Sequence, residues 1–197
     1  GYINKKEFVL QTQSRTVSVR YHDEIGQEMA ISMGKLYCGQ TAPSSDEEKT
    51  ELVPVSCGGK AYEGTCVWMG NLHCIIPMEE ISKETVCKIG EELAQLERFP
   101  DGINTQIMRI EDKNNIYTEV YERGAGYTLA SGSSCCAAAG VAYQLGLTEP
   151  CVYVHMPGGT LSVHIDEAMN ACMTGTAECI GKITLSDEFL RKNQIMV

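Results

Sequence analysis

Residues 121–140 read Tyr-Glu-Arg-Gly-Ala-Gly-Tyr-Thr-Leu-Ala-Ser-Gly-Ser-Ser-Cys-Cys-Ala-Ala-Ala-Gly, an extended segment that enters a glycine- and serine-rich turn and then a helix of very small side chains. This order constrains the fold strongly. The first turn of a helix leaves backbone N–H groups unpaired, and together with the helix dipole they hold a carboxylate or phosphate without a cationic side chain. Gly132, Ser133 and Ser134 would form that cradle. Glycine at 132 lets the backbone approach a ligand closely, while Ala137, Ala138, Ala139 and Gly140 let the helix pack tightly against what lies behind it. Ser131 is the residue aimed at the bound group.

The chain can support a buried core: it has 197 residues, 43% of them apolar and 21% charged, enough for one domain or two small ones. Its net charge of −10 argues against nucleic acid, which demands clustered Lys and Arg. There is no signal peptide and no apolar run of membrane-spanning length, so the cytoplasm is the expected compartment and no membrane partner is expected. The ten cysteines are then expected as free thiols, with Cys87 and Cys151, both in apolar stretches, serving as small core residues. No cysteine pair has CxxC spacing and the four histidines form no HxxxH pair. That pattern argues against a structural zinc site, and nothing else in the chain calls for a metal or organic cofactor.

Alternation of apolar and polar residues from Glu7 to Tyr21 around Gln13-Ser14 predicts a hairpin, and Gln27 to Met33 a third strand. Residues Ser44 to Glu51 are acidic and aperiodic, as in a solvated loop or interdomain link. Ser82 reads as the N-cap of a helix whose stripe is Val86, Ile89, Leu93 and Leu96, ending at Phe99-Pro100-Asp101-Gly102. Ile107–Ile110 and Ile116–Tyr121 flank a turn at 112–115, and this hairpin delivers Glu122 and Arg123 to the next loop. A second helix is expected from Gly132 to Leu145 with Gly146 as its stop, followed by strands at 151–156 and 160–165 and a stretch at 171–183 broken at Gly175 and Gly181. The mixture predicts an α+β fold.

Four segments in order carry a family resemblance. Residues Glu122 to Ala138, ERGAGYTLASGSSCCAA, resemble the diaminopimelate epimerase pattern ERGAGET-x-ACG-[ST]-GACAA. Gly70 to Cys74 resembles its GNPHC, Phe99 to Asn104 its FP-x-G-x-N, and Met173 to Glu178 its MTGPAE. Four ordered matches are far more specific than one glycine motif. The resemblance implies two similar α+β domains, each a sheet curled around a central helix, with the active site between them. On that basis residues 33–176 would form a complete C-terminal epimerase-like domain, and 1–32 with 177–197 part of a second. The family's opening segment with its CGNG cysteine is not found in this sequence, so either the sequence is a fragment or the other half is supplied elsewhere. Cys38-Gly-Gln and Cys57-Gly-Gly look superficially like that motif but lie on the wrong side of the later ones.

The activity implied is inversion of an amino-acid α-carbon without a cofactor, in a homodimer: LL- to meso-diaminopimelate, a step of lysine biosynthesis. Such chemistry needs one base on each face of the substrate, and thiols suit it because a pKa of about 8.5 lets the surroundings select thiolate or thiol. By resemblance, Ser131 stands at the second catalytic thiol, with His73 and Glu122 tuning the two thiols. Asn71, Asn104, Glu122, Arg123, Gly132 and Ser133 fall on substrate-binding positions, Arg123 suited to a forked hold on a carboxylate. Without the resemblance, His73 would read equally well as structural, Asn104 as a turn residue and Arg123 with Glu122 as a surface ion pair.

Two departures matter. Tyr127 replaces a family glutamate near the site, which opens a related racemase acting on another amino acid such as histidine. Ser131 replaces the cysteine, and making a base of an alcohol (pKa ~15.7) instead of a thiol (~8.5) costs roughly 10 kcal/mol more. A substrate-trapping substitution, a natural single-base relative and a non-catalytic amino-acid binding homologue would each account for it. Cys135 and Cys136, one turn further on, are not expected to take its place. A serine hydrolase using Ser131, His73 and Glu122 is allowed by residue type but lacks GxSxG.

Overall fold

The alternation read from the sequence produces a chain dominated by strands. The computed structural model describes residues 5–11, 16–22, 27–39 and 51–193. The first strands are β1 (Glu7–Gln11), β2 (Thr16–Tyr21), β3 (Glu28–Lys35), β4 (Tyr37–Cys38), β5 (Glu51–Cys57), β6 (Lys60–Trp68) and β7 (Leu72–Pro77). Helix α1 (Lys83–Ala94) leads to β8 (Asn104–Asp112), β9 (Asn115–Glu122) and β10 (Gly126–Thr128), and helix α2 (Gly132–Gln144) to β11 (Cys151–Met156), β12 (Gly159–Ile165) and β13 (Asn170–Thr176). A short α3 (Asp187–Lys192) follows.

These strands form one 13-stranded sheet in the order β1-β2-β3-β13-β12-β11-β9-β8-β7-β6-β4, with β5 on β6 and β10 on β9. Most neighbours are antiparallel; β7 with β8 and β11 with β9 are parallel, and these pairs are bridged by α1 and α2. The fold is α+β.

Helix α2 is small or apolar on every side, and Ser134 through Ala142 are buried, the signature of a helix surrounded rather than laid on a surface. It contacts β6, β7, β8, β9, β11, β12 and β13. Its small side chains make this enclosure sterically feasible: a Cβ at Gly140 would lie 2.7 Å from Leu36 Cδ2. The core around it includes Ile75, Met108, Val120 and Val163. The opposite faces of β7 and β8 present Cys74, Ile76 and Ile107 to α1 with Val86, Ile89 and Leu93. The period of two along each strand thus divides one sheet between two cores.

The predicted hairpins, the third strand and both helix starts agree with the structure. Ser82 caps α1 by accepting from the Thr85 N–H, and Gly146, at φ 69°, follows the end of α2. Several expectations need correction. Helix α1 stops at Ala94, so Leu96 lies beyond it and is exposed; Phe99, not Leu96, enters that core. Among the described residues no strand follows Thr176: residues 177–186 are exposed and without regular structure, and β13 runs through Gly175, where a break was expected. Cys151 is exposed and Cys87 only half-buried, because each falls on the outward register of its element; the fully buried thiols include Cys66, Cys74, Cys135 and Cys136. Cys57-Gly58-Gly59-Lys60 is a two-residue hairpin turn, with both glycines at positive φ. The Gln13-Ser14 turn and residues 44–50 lie outside the described residues.

Candidate active site

Four segments converge at one end of the α2 core: the start of β7, the start of β8, the end of β9 and the first turn of α2. Their convergence follows from the sheet register, in which His73 on β7 pairs with Asn104 on β8, and Thr105 on β8 with Tyr121 on β9.

Asn104 links the first three. Its carboxamide donates to the Leu72 carbonyl at 2.9 Å and accepts from the Arg123 backbone N–H at 3.0 Å. It is therefore a buried cross-link and more than a turn residue. Arg123 itself is exposed, and one guanidinium nitrogen donates to the Asp101 carbonyl at 3.1 Å. No ion pair joins it to Glu122 among the described residues.

Ser131 occupies the N-cap of α2 in extended geometry, φ −152° and ψ 124°, yet its side chain makes no capping hydrogen bond. Instead its hydroxyl donates to Glu122 Oε1 at 2.7 Å. The first intrahelical bond runs from the Cys135 N–H to the Ser131 carbonyl, so the N–H groups of Gly132, Ser133 and Ser134 precede the helical ladder and are the group that can hold an anion. Gly132 lies close under Met173. A Cβ there would meet the Met173 sulfur at 3.2 Å and its methyl at 3.3 Å. Cys135 is buried and its thiol donates to the Gly132 carbonyl at 3.1 Å.

His73 is fully buried, with Nδ1 3.2 Å from Gln106 Oε1 and Nε2 3.0 Å from Asn71 Oδ1. Burial pulls its pKa down to about 4, against a smaller upward pull from Gln106, so the ring is neutral at pH 7. Gln106 continues to Ser134 Oγ at 3.0 Å. Gln106 was not foreseen as a site residue, and Ser134 only as a backbone N–H of the cradle; a polar Gln at an inward-facing core position was the available signal. The arrangement also separates His73 from Ser131, whose hydroxyl is committed to Glu122. That removes the histidine–serine contact a hydrolase would need.

Tyr127 faces the other side of the sheet. Its hydroxyl donates to Glu119 Oε2 at 2.7 Å, Lys83 Nζ lies 4.9 Å from its ring centroid, and it packs on the α1 core. Burial, then Glu119, push its pKa up to about 12. The Tyr127 side chain is therefore turned toward α1 and Glu119.

Among the described residues no group of three or more His, Cys, Asp and Glu could hold a metal ion, and no helix is long and apolar enough to cross a membrane.

A family model described as diaminopimelate epimerase matches residues 65–180. The chain is 31% identical over 190 residues to diaminopimelate epimerase 2 of Nostoc sp., a match covering 95% of this chain and 66% of the relative. It is 33% identical over 163 residues to the diaminopimelate epimerase of Halothermothrix orenii, covering 80% of this chain and 57% of that one. Among solved structures, a probable proline racemase from Agrobacterium radiobacter with bound carbonate is similar in fold, with a TM-score of 0.63 at 12% identity over 93% of this chain and 62% of that chain. The chain thus spans less than two thirds of the length of these relatives.

Proposed function

The chain belongs to the diaminopimelate epimerase family, and from that premise we propose that the protein is a cofactor-independent amino-acid epimerase acting on diaminopimelate, with Ser131 at the second proton-transfer position. The observation that carries the reading is the pairing of the Ser131 hydroxyl with Glu122 beside the unladdered N–H groups of Gly132 and Ser133. A substrate α-carboxylate held on those N–H groups brings its α-carbon to Ser131. Negative charge that develops there as the α-proton leaves is stabilised by the same N–H groups and the helix dipole.

The proton has a route. As Ser131 Oγ accepts it from the α-carbon, the hydroxyl proton passes to Glu122, and the electron pair of the broken C–H bond stays on the substrate. The terminal base is then a carboxylate, a weaker base than a thiolate. Proton abstraction from the Ser131 side is correspondingly weak. The second base belongs on the opposite face of the substrate, and the CGNG thiol that the resemblance assigns to it is not among these 197 residues. Arg123, exposed and oriented through Asn104, is suited to the distal carboxylate, with Asn71 as a further polar contact. We assign residues 33–176 to the C-terminal epimerase-like domain and 1–32 with 177–197 to a second, similar one. A cytoplasmic homodimer with a place in lysine biosynthesis accords with this reading.

The hydroxyl at 131 favours one second reading, an amino-acid binding homologue without turnover. Incubating the full-length protein with LL-diaminopimelate or L-histidine in D2O and following Cα–H loss by NMR separates the two. Exchange with inversion of diaminopimelate supports the epimerase; exchange of histidine alone would move the substrate; binding without exchange would leave the binding homologue.

A further inference from the structure

Asn71, His73, Gln106 and Ser134 form one continuous chain of polar contacts, Asn71 Oδ1 to His73 Nε2 at 3.0 Å, His73 Nδ1 to Gln106 Oε1 at 3.2 Å and Gln106 Nε2 to Ser134 Oγ at 3.0 Å. The last three residues are fully buried, and Asn71 is half-buried at the outer end. A neutral imidazole has one N–H and one lone pair, so one of its two amide neighbours must accept and the other must donate. Carboxamides can present either end, and this leaves two self-consistent settings of the whole chain.

In one setting, Nδ1–H donates to the Gln106 carbonyl, the Gln106 amide donates to Ser134, and the Asn71 amide donates to Nε2. The Asn71 carbonyl then faces outward. In the other, Nε2–H donates to the Asn71 carbonyl, the Gln106 amide donates to Nδ1, and the Ser134 hydroxyl donates to the Gln106 carbonyl. The Asn71 N–H groups then face outward. Gln106 is the one side-chain partner of the Ser134 hydroxyl among the described residues. Only the second setting uses that hydroxyl's proton; the first leaves a buried O–H donor unpaired, and unpaired buried donors are costly.

We propose that Gln106 and Ser134 are positioning residues that hold His73 as its Nε2–H tautomer, so that Asn71 presents N–H donors, not a carbonyl, to a carboxylate-bearing ligand. The ligand class rests on the epimerase reading; the tautomer does not. The resemblance pattern has glycine where Ser134 stands, so the hydroxyl that sets the chain is a feature of this sequence.

Full-length protein carrying 15N-labelled histidine, with His73 assigned through a His73→Asn variant, gives the tautomer directly from two-bond 1H–15N correlations at pH 7. The expected spectrum shows His73 Nε2 protonated and Nδ1 unprotonated. Ser134→Ala should convert this to a mixture of tautomers and raise KM for diaminopimelate about tenfold with a smaller change in kcat, and Ser134→Thr should restore both. Gln106→Met, which keeps the length and removes the amide, carries the same test should Ser134→Ala not fold. An Nδ1–H tautomer in the unmodified protein, or a tautomer unmoved by either variant, would overturn the proposal. The spectrum needs no turnover, so a missing Cα exchange would count against the epimerase alone.

Discussion

The Ser131 hydroxyl and Glu122 Oε1 lie 2.7 Å apart, joining the N-cap of α2 to the end of β9. In a chain whose homologous pattern has a thiol at 131, the proposed function makes this carboxylate the terminal proton acceptor. Replacing Glu122 with Gln keeps the shape and removes that acceptor. Deuterium exchange at the substrate α-carbon should fall roughly 10²- to 10⁴-fold with little change in KM, and Ser131→Cys should raise it at least about tenfold. A Glu122→Gln enzyme as fast as its parent would exclude the relay.

The buried, neutral His73 makes the fold sensitive to mild acid. Its pKa is lowered from 6.5 to about 4 in the folded protein. Below pH ~6.5 the unfolded chain therefore binds a proton that the folded one refuses, and stability drops as pH falls through this window, by roughly 3 kcal/mol at its lower end. Urea unfolding between pH 4 and pH 7 should show that loss, and His73→Gln should flatten it. Equal slopes for the two proteins would mean that other groups govern acid lability.

Gly90 is a packing residue of α1. A Cβ there would stand 2.5 Å from Tyr121 Cγ and 2.8 Å from its Cβ, atoms close to the backbone that cannot swing away. Gly90→Ala should therefore lower stability by about 1–3 kcal/mol, although alanine is the better helix former by ~1 kcal/mol. A thermal melt at or above that of the parent would show that β9 yields more readily than its burial implies.

Asn104 holds Leu72 and Arg123 in register through two bonds. Asn104→Ala removes both and leaves a cavity, at a cost of about 2–4 kcal/mol, and frees the loop that carries Arg123. Steady-state kinetics should show KM rising more than kcat falls, since binding rather than proton transfer is disturbed. A pure kcat effect would place Asn104 nearer the reacting atoms than its contacts indicate.

Tyr127→Glu restores the residue of the family pattern at a position that faces Glu119 and Lys83. Like charge beside Glu119 should cost about 0.5–1 kcal/mol at neutral pH. The ratio of kcat/KM for diaminopimelate over histidine should stay within about twofold, because no contact reaches Ser131. A large shift in that ratio would make Tyr127 a specificity determinant.

The strands at 7–11, 16–21, 107–110 and 151–156, the cap at Ser82 and the start of α2 at Gly132 were legible because each depends on neighbours in sequence: alternation, a capping hydroxyl, a run of small residues. The order of four motifs placed the chain in one family and marked His73, Asn104, Glu122 and Ser131 as candidate site residues. What the sequence could not supply was which side chains meet across elements. The Ser131 hydroxyl binding Glu122 instead of capping its helix, the Met173 thioether filling the space above Gly132, Tyr127 turning toward α1, and the Asn71–His73–Gln106–Ser134 chain are all set by sheet register. A shift of one residue in that register would turn His73, Gln106, Tyr127 and Met173 to the opposite face of the sheet. Local patterns therefore decided the elements and the chemistry available, while the curling of one sheet around α2 decided which groups share a proton.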